Sequence, residues 1–185
     1  MITKDKEWKL LGSEYIFRKP WLTVRKDSYE LPNGNIIPDY YILEYPEWVN
    51  VIAITKDQKF VMVRQFRPGA AVTRYELSAG VAEKSDESYL ISAQRELLEE
   101  TGYGGGTWTK YMEISPNPGT HTNTVYCYLA TDVEFIASPH LDETEYLTVH
   151  LLAVDEIKDL LINNQILQAV QAAPLWKYMA ENRLM

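Results

Sequence analysis

At 185 residues, with 46% hydrophobic and 24% charged content, the chain can bury one sizeable core with room for a small added unit, which excludes a disordered or fibrous class. A formal net charge of −8 argues against a nucleic acid polymer as partner, because that affinity is built from Lys and Arg contacts to phosphate, while a small phosphorylated ligand stays compatible. The single cysteine, Cys127, excludes an internal disulfide, and no apolar run has signal-peptide or membrane-spanning length, so the expectation is a cytoplasmic protein with no membrane partner.

The N-terminal part, residues 8–46, alternates short apolar runs with turn signals. Tyr15-Ile16-Phe17, Leu22-Thr23-Val24, Ser28-Tyr29-Glu30-Leu31 and Tyr40-Tyr41-Ile42-Leu43 read as strands, and Asn33-Gly34 marks a hairpin. This predicts a small antiparallel sheet as a first domain, 1–47, before a main domain, 48–185. Strands follow over 51–54 and 59–63 about a turn at 55–58. The segment Tyr75-Glu76-Leu77-Ser78-Ala79-Gly80 is extended and runs into a glycine turn. A helix is predicted from Asp86 to Thr101, capped by Ser85 or Asp86 and ended by Gly102, with Leu90, Ala93, Leu97 and Leu98 as its apolar stripe. Residues 104–106, all glycine, read as a flexible loop. Strands over 124–130 and 146–152 precede helices over Val154–Ile162 and 166–181, broken near Asn163-Asn164. Cys127 lies in an apolar segment and reads as a buried structural thiol.

The chemistry is concentrated in Arg95-Glu96-Leu97-Leu98-Glu99-Glu100-Thr101-Gly102. Helical spacing puts Glu96, Glu99 and Glu100 on one face, where like charges destabilise the helix unless a cation relieves them. Carboxylate oxygens are hard ligands suited to Mg²⁺, with Mn²⁺ as substitute, and the run holds no His or Cys to recruit zinc. The alternative is a solvated acidic helix end.

From Glu87 to Tyr103 the chain resembles the Nudix box: Glu, seven residues, then Arg-Glu-apolar-x-Glu-Glu-x-Gly-apolar. It departs once, since six residues rather than five separate Gly80 from Glu87, which is assigned as the first acid in preference to Asp86. The resemblance implies an α/β fold, an α/β/α sandwich with a mixed sheet, and hydrolysis of a nucleoside diphosphate linked to another group. Three further features resemble the ADP-ribose pyrophosphatase branch of that family: the N-terminal sheet, Arg64-Gln65-Phe66-Arg67, and Glu76-Leu77-Ser78-Ala79-Gly80. Pro118 matches a proline associated there with ADP-ribose specificity.

The branch resemblance implies roles. Arg64, Arg67, Glu76 and Pro118 would bind substrate. Glu96, Glu99, Glu100, Glu145 and the Ala79 carbonyl would hold Mg²⁺, and Arg95 would orient the acids. A general base is expected from the loop Leu141-Asp142-Glu143-Thr144-Glu145, with Glu143 as base and Glu145 as metal contact. The first domain would build a homodimer. The loop Ser115-Pro116-Asn117-Pro118-Gly119-Thr120-His121-Thr122-Asn123 lacks the acid usual in the branch, which leaves sugar nucleotides other than ADP-ribose open. Two other readings remain: a Nudix-fold regulator that senses a nucleotide without cleaving it, and a pyrophosphatase that cleanses nucleoside triphosphates.

Overall fold

A computed structural model describes residues 6–19 and 21–185, in two compact units: Met1–Pro46 with Asn117–Asn123, and Glu47–Pro116 with Thr124–Met185. Residues 1–5, at the end where a signal peptide would begin, lie outside the described residues.

The first unit is a three-stranded antiparallel sheet of β1 (Lys9–Lys19), β2 (Leu22–Glu30) and β3 (Ile36–Glu44), in that order. The expected hairpin joins β2 to β3: Gly34 adopts φ 87°, and the Leu31 N–H donates to the Asn35 carbonyl at 2.8 Å. Asp27 is wholly buried, and donors from three side chains offset its desolvation. Ser13 Oγ donates at 2.6 Å, Tyr29 OH at 2.9 Å and Arg25 Nε at 3.0 Å, while Arg25 Nη1 reaches Glu44 at 2.5 Å. Burial works to raise the Asp27 pKa, but the bonds from Ser13, Tyr29 and Arg25 outweigh it and hold the group below its ordinary value. Asn117–Asn123 joins this unit through its backbone: Leu43 N–H donates to the Thr120 carbonyl (2.8 Å), and Tyr40 OH donates to that of Gly119 (2.6 Å).

The second unit is built on β4 (Trp48–Thr55), β5 (Phe60–Arg67), β6 (Val72–Glu76), β7 (Ser78–Val81), β8 (Tyr103–Gly104), β9 (Thr107–Ile114), β10 (Val125–Phe135) and β11 (Leu147–Leu152). Its sheet runs β11-β5-β4-β10-β8, with β6 on β5, β7 on β4 and β9 on β10. Only the β4–β10 pairing is parallel, so the sheet is mixed as expected. Strand alternation sends β4 side chains to two cores. Val49, Val51 and Ala53 pack with Ala93 and Leu97 of α1 (Tyr89–Thr101). Ile52 and Ile54 pack with Ile157 and Leu161 of α2 (Val154–Ile162) and Leu175 and Met179 of α3 (Ala169–Glu181). One helix on one face and two on the other make the α/β/α layering.

Four expectations need correction. The box helix starts at Tyr89, not Asp86, because Ser88 is extended (φ −162°, ψ 162°) and caps the Ile91 N–H, while Asp86 turns to Arg95. Gly80 lies inside β7 and not in a turn, paired with Val49. The three glycines are not a flexible loop: Gly104 is in β8, and Gly105 and Gly106 turn tightly at φ 68° and 72°, where a Cβ on Gly106 would overlap the Thr131 carbonyl. They lead into β9, a strand the sequence reading passed over. The last helix begins at Ala169, three residues later than expected. No helix among the described residues is long and apolar enough to cross a membrane.

Candidate active site

Helix α1 is fixed at both ends, by Ser88 and by Gly102, whose N–H donates to the Leu98 carbonyl at φ 75°. Ala93 and Leu97 anchor its inner face, which turns Glu96 and Glu100 toward β7. Glu100, 5% exposed, accepts from the Ala79 N–H at 3.1 Å. Glu96 lies against Gly80 so closely that a Cβ there would overlap its carboxylate. The chain can bring an acidic side chain onto β7 only because that position has no side chain of its own.

Arg95 ties the cluster together. Its Nη1 donates to Glu96 and to Glu99, each at 3.0 Å, and its Nη2 to the Val81 carbonyl (3.1 Å) and to Asp86 (3.0 Å). Burial works against the Arg95 charge, yet the bond to Asp86 and the charges of Glu96 and Glu99 prevail and raise its pKa. Asp86 is held below its ordinary range, chiefly by the Arg95 bond. Glu87, the assigned first acid, is exposed. Asp86, set aside in favour of Glu87 on the motif spacing, is the acid that bonds Arg95.

Burial pushes Glu96 up to about 7, with Arg95 opposing and the charges of Glu99 and Glu145 adding. Burial likewise pushes Glu100 up to about 8; the Ser78 hydroxyl and Ala79 N–H oppose it, and the charges of Glu96 and Glu145 add. Glu145 therefore acts on both buried acids. Glu99 turns to Arg95, and among the described residues no three acidic, His or Cys side chains stand close enough to enclose one ion in this arrangement.

A cavity of about 430 Å³ lies on the other side of β7, lined by Trp48, Asn50, Val125 and Val170 and by Arg67, Glu76 and Gln171. The Gly80 Cβ direction faces Glu96, so by alternation Ala79 and Val81 face away from it into this cavity. Arg67 donates to Glu76 from Nε (2.8 Å) and Nη2 (2.5 Å), in a fork on a carboxylate only 3% exposed. The charge of Glu100 also raises the Arg67 pKa, after the Glu76 bond and against desolvation. Arg64 is not with it. Three residues earlier on β5, it falls on the opposite face, its guanidinium 5.6 Å from the Tyr75 ring. Pro118 is exposed within the first unit, in the segment that holds Tyr40. Gln171, also missed, carried a signal: it is a polar residue inside the buried stripe Val170, Pro174, Leu175 and Met179.

Residues 8–43 match the nucleoside diphosphate sugar hydrolase N-terminal domain, and residues 45–172 match the NUDIX domain. An ADP-ribose pyrophosphatase of Bacillus subtilis is 32% identical over 170 residues, 91% of each chain. A methanol dehydrogenase activator of Bacillus methanolicus is 33% identical over 151 residues, 81% of this chain and 80% of that one. Among solved structures, the crystal structure of an ADP compounds hydrolase has the same fold, with TM-score 0.83 at 23% identity over 97% of this chain and 98% of that one. A NUDIX match of that length, with a relative aligned across nine tenths of both chains, places this protein in the Nudix hydrolase family.

Proposed function

We propose that the protein hydrolyses the pyrophosphate bond of a nucleoside diphosphate joined to another group, ADP-ribose or a related nucleotide sugar, to a nucleoside monophosphate and a sugar phosphate. The observation that carries this is the crowding of Glu96 and Glu100 against β7, with Glu145 adding charge to both. These donors are hard oxygens, their repulsion is only partly offset by Arg95, and Gly80 clears the space beside them. They fit a divalent cation of the Mg²⁺ or Mn²⁺ kind. Glu96, Glu99, Glu100, Glu145 and the Ala79 carbonyl would hold it. When bound, such an ion neutralises phosphate oxygens and acidifies water.

The remaining work falls to the chain's own groups. The fork on Glu76 leaves Nη1 of Arg67 to meet a phosphate oxygen beside the cavity. Arg64, on the opposite face of the strand, packs on Tyr75. Arg95 draws Glu96 and Glu99 together and ties α1 to Val81. Glu143, in the exposed loop before β11, would take the proton of the attacking water. The relatives named for ADP-ribose favour that substrate.

The first unit would pair two copies. Strand β1 exposes both of its faces, including Leu10, Ile16 and Phe17, and Trp21 follows it at 77% exposure. Light scattering of the purified protein should give twice the chain mass. The catalytic test is formation of nucleoside monophosphate, followed by chromatography, from ADP-ribose, sugar nucleotides, dinucleoside polyphosphates and nucleoside triphosphates, each with and without Mg²⁺. Turnover of the sugar diphosphates alone supports the proposal; preference for triphosphates, or binding without turnover, sinks it.

A further inference from the structure

The polar corner of the cavity is organised from behind by a residue of α3. Gln171 is 1% exposed and uses its whole amide. Its Oε1 accepts from the Leu77 N–H at 2.8 Å, and its Nε2 donates to Glu76 Oε2 at 3.3 Å and to Gln168 Oε1 at 3.0 Å. Gln65 adds a further donor to Glu76 Oε2 at 3.2 Å. Glu76 therefore meets Arg67 on both oxygens while being held by two glutamines. An apolar side chain would suit the surrounding Val170, Pro174, Leu175 and Met179, and a buried amide is tolerated there because all its bonds are made. Those bonds do more than satisfy Gln171. They lock Leu77, the link between β6 and β7, to α3 and fix the plane of the Glu76 carboxylate, which in turn fixes the Arg67 fork.

We propose that Gln171 is a positioning residue for substrate phosphate: through Glu76 it sets the Arg67 guanidinium edge that receives a phosphate oxygen of the nucleoside diphosphate. The inference rests on the reading of Arg67 as the phosphate contact. Freed from Gln171, Glu76 can rotate and carry Arg67 with it, so substrate binding weakens while the acids of α1 are untouched.

The test is a double-mutant cycle on Arg67→Ala and Gln171→Met, with steady-state kinetics on ADP-ribose, or on the diphosphate of the panel turned over fastest, in saturating Mg²⁺. Arg67→Ala should raise KM on the order of ten- to a hundredfold, as expected for a lost charged hydrogen bond. Gln171→Met should raise KM several-fold with kcat nearly unchanged, and should add nothing in the Arg67→Ala background. If Gln171→Met does not fold, Gln171→Glu, of equal size and still an acceptor for Leu77, takes its place in the cycle. Additive KM losses overturn the proposal, because Gln171 then acts independently of Arg67. A wild-type KM in the Gln171 variant beside a raised one in Arg67→Ala overturns the relay alone. An unchanged KM in Arg67→Ala overturns both the phosphate reading and the relay.

Discussion

Gly80 and the Glu96 carboxylate compete for the same space: the Cβ that any other residue would place on β7 falls on the oxygens that α1 delivers there. Gly80→Ala should therefore displace Glu96 and cost about 1–3 kcal/mol in stability, as overpacking does. Hydrolysis should fall far more than the loss of folded protein explains. Calorimetry with kinetics on the folded fraction checks this, and a fully active alanine variant would remove Glu96 from the site.

Glu100→Gln separates charge from shape. Burial holds the Glu100 carboxyl up to about 8, so near neutral pH its ionised form is a burden on the fold. The amide should leave the metal-free melting temperature equal or raise it by roughly a few degrees. Mg²⁺ should stabilise the wild type by mass action and the variant much less, with turnover lower by orders of magnitude. Wild-type turnover by this variant would end the metal assignment.

Glu143 and Glu145 should fail differently. Because the charge of Glu145 acts on Glu96 and Glu100, Glu145→Gln should weaken the apparent Mg²⁺ affinity, read as a shifted activation curve. Glu143→Gln should keep that curve and lower kcat, on the order of a hundredfold for a lost general base. Identical, negligible losses would send the base elsewhere.

Asp27 provides a pH test of the first unit. Its folded pKa lies below the unfolded value of about 4, so its stabilisation is present above that value and is lost as pH falls through the folded pKa. Asp27→Asn should cost about 1–3 kcal/mol at neutral pH by leaving the donors from Ser13, Tyr29 and Arg25 poorly matched. The gap between the two proteins should narrow from about pH 5 to about pH 3 in melting experiments. A constant gap would refute the linkage.

Cys127 should be silent. It is wholly buried, and burial pushes its thiol up to about 12. A thiol reagent should label it only after denaturation; rapid labelling of the native protein would contradict its place in the core.

The acidic helix, the Asn33-Gly34 hairpin and helix Val154–Ile162 were legible because short-range chemistry decides them: glycine at positive φ, apolar spacing and charge at helical intervals. What escaped the sequence depends on partners far along the chain. Strand β9 had the Thr, Trp, Tyr and Ile of a strand, but its register comes from β10. The helix start moved to Tyr89 because Arg95 claims Asp86, a bond that spacing alone does not reveal. Arg64 and Arg67 looked alike in sequence, yet an interval of three on a strand sends them to opposite faces. Gln171 could be seen as an oddity in an apolar stripe, but its meaning required Glu76 and Leu77 beside it.

The hydrogen bonds of Asn117–Asn123 to Leu43 and Tyr40 tie the first unit to a stretch of chain that emerges between β9 and β10. The N-terminal sheet is thus no detachable prefix. A shortened protein beginning at Glu47 would keep every acid of α1, but its 117–123 loop would have to find a new conformation. Any exchange of N-terminal sheets between relatives must therefore carry that loop with it.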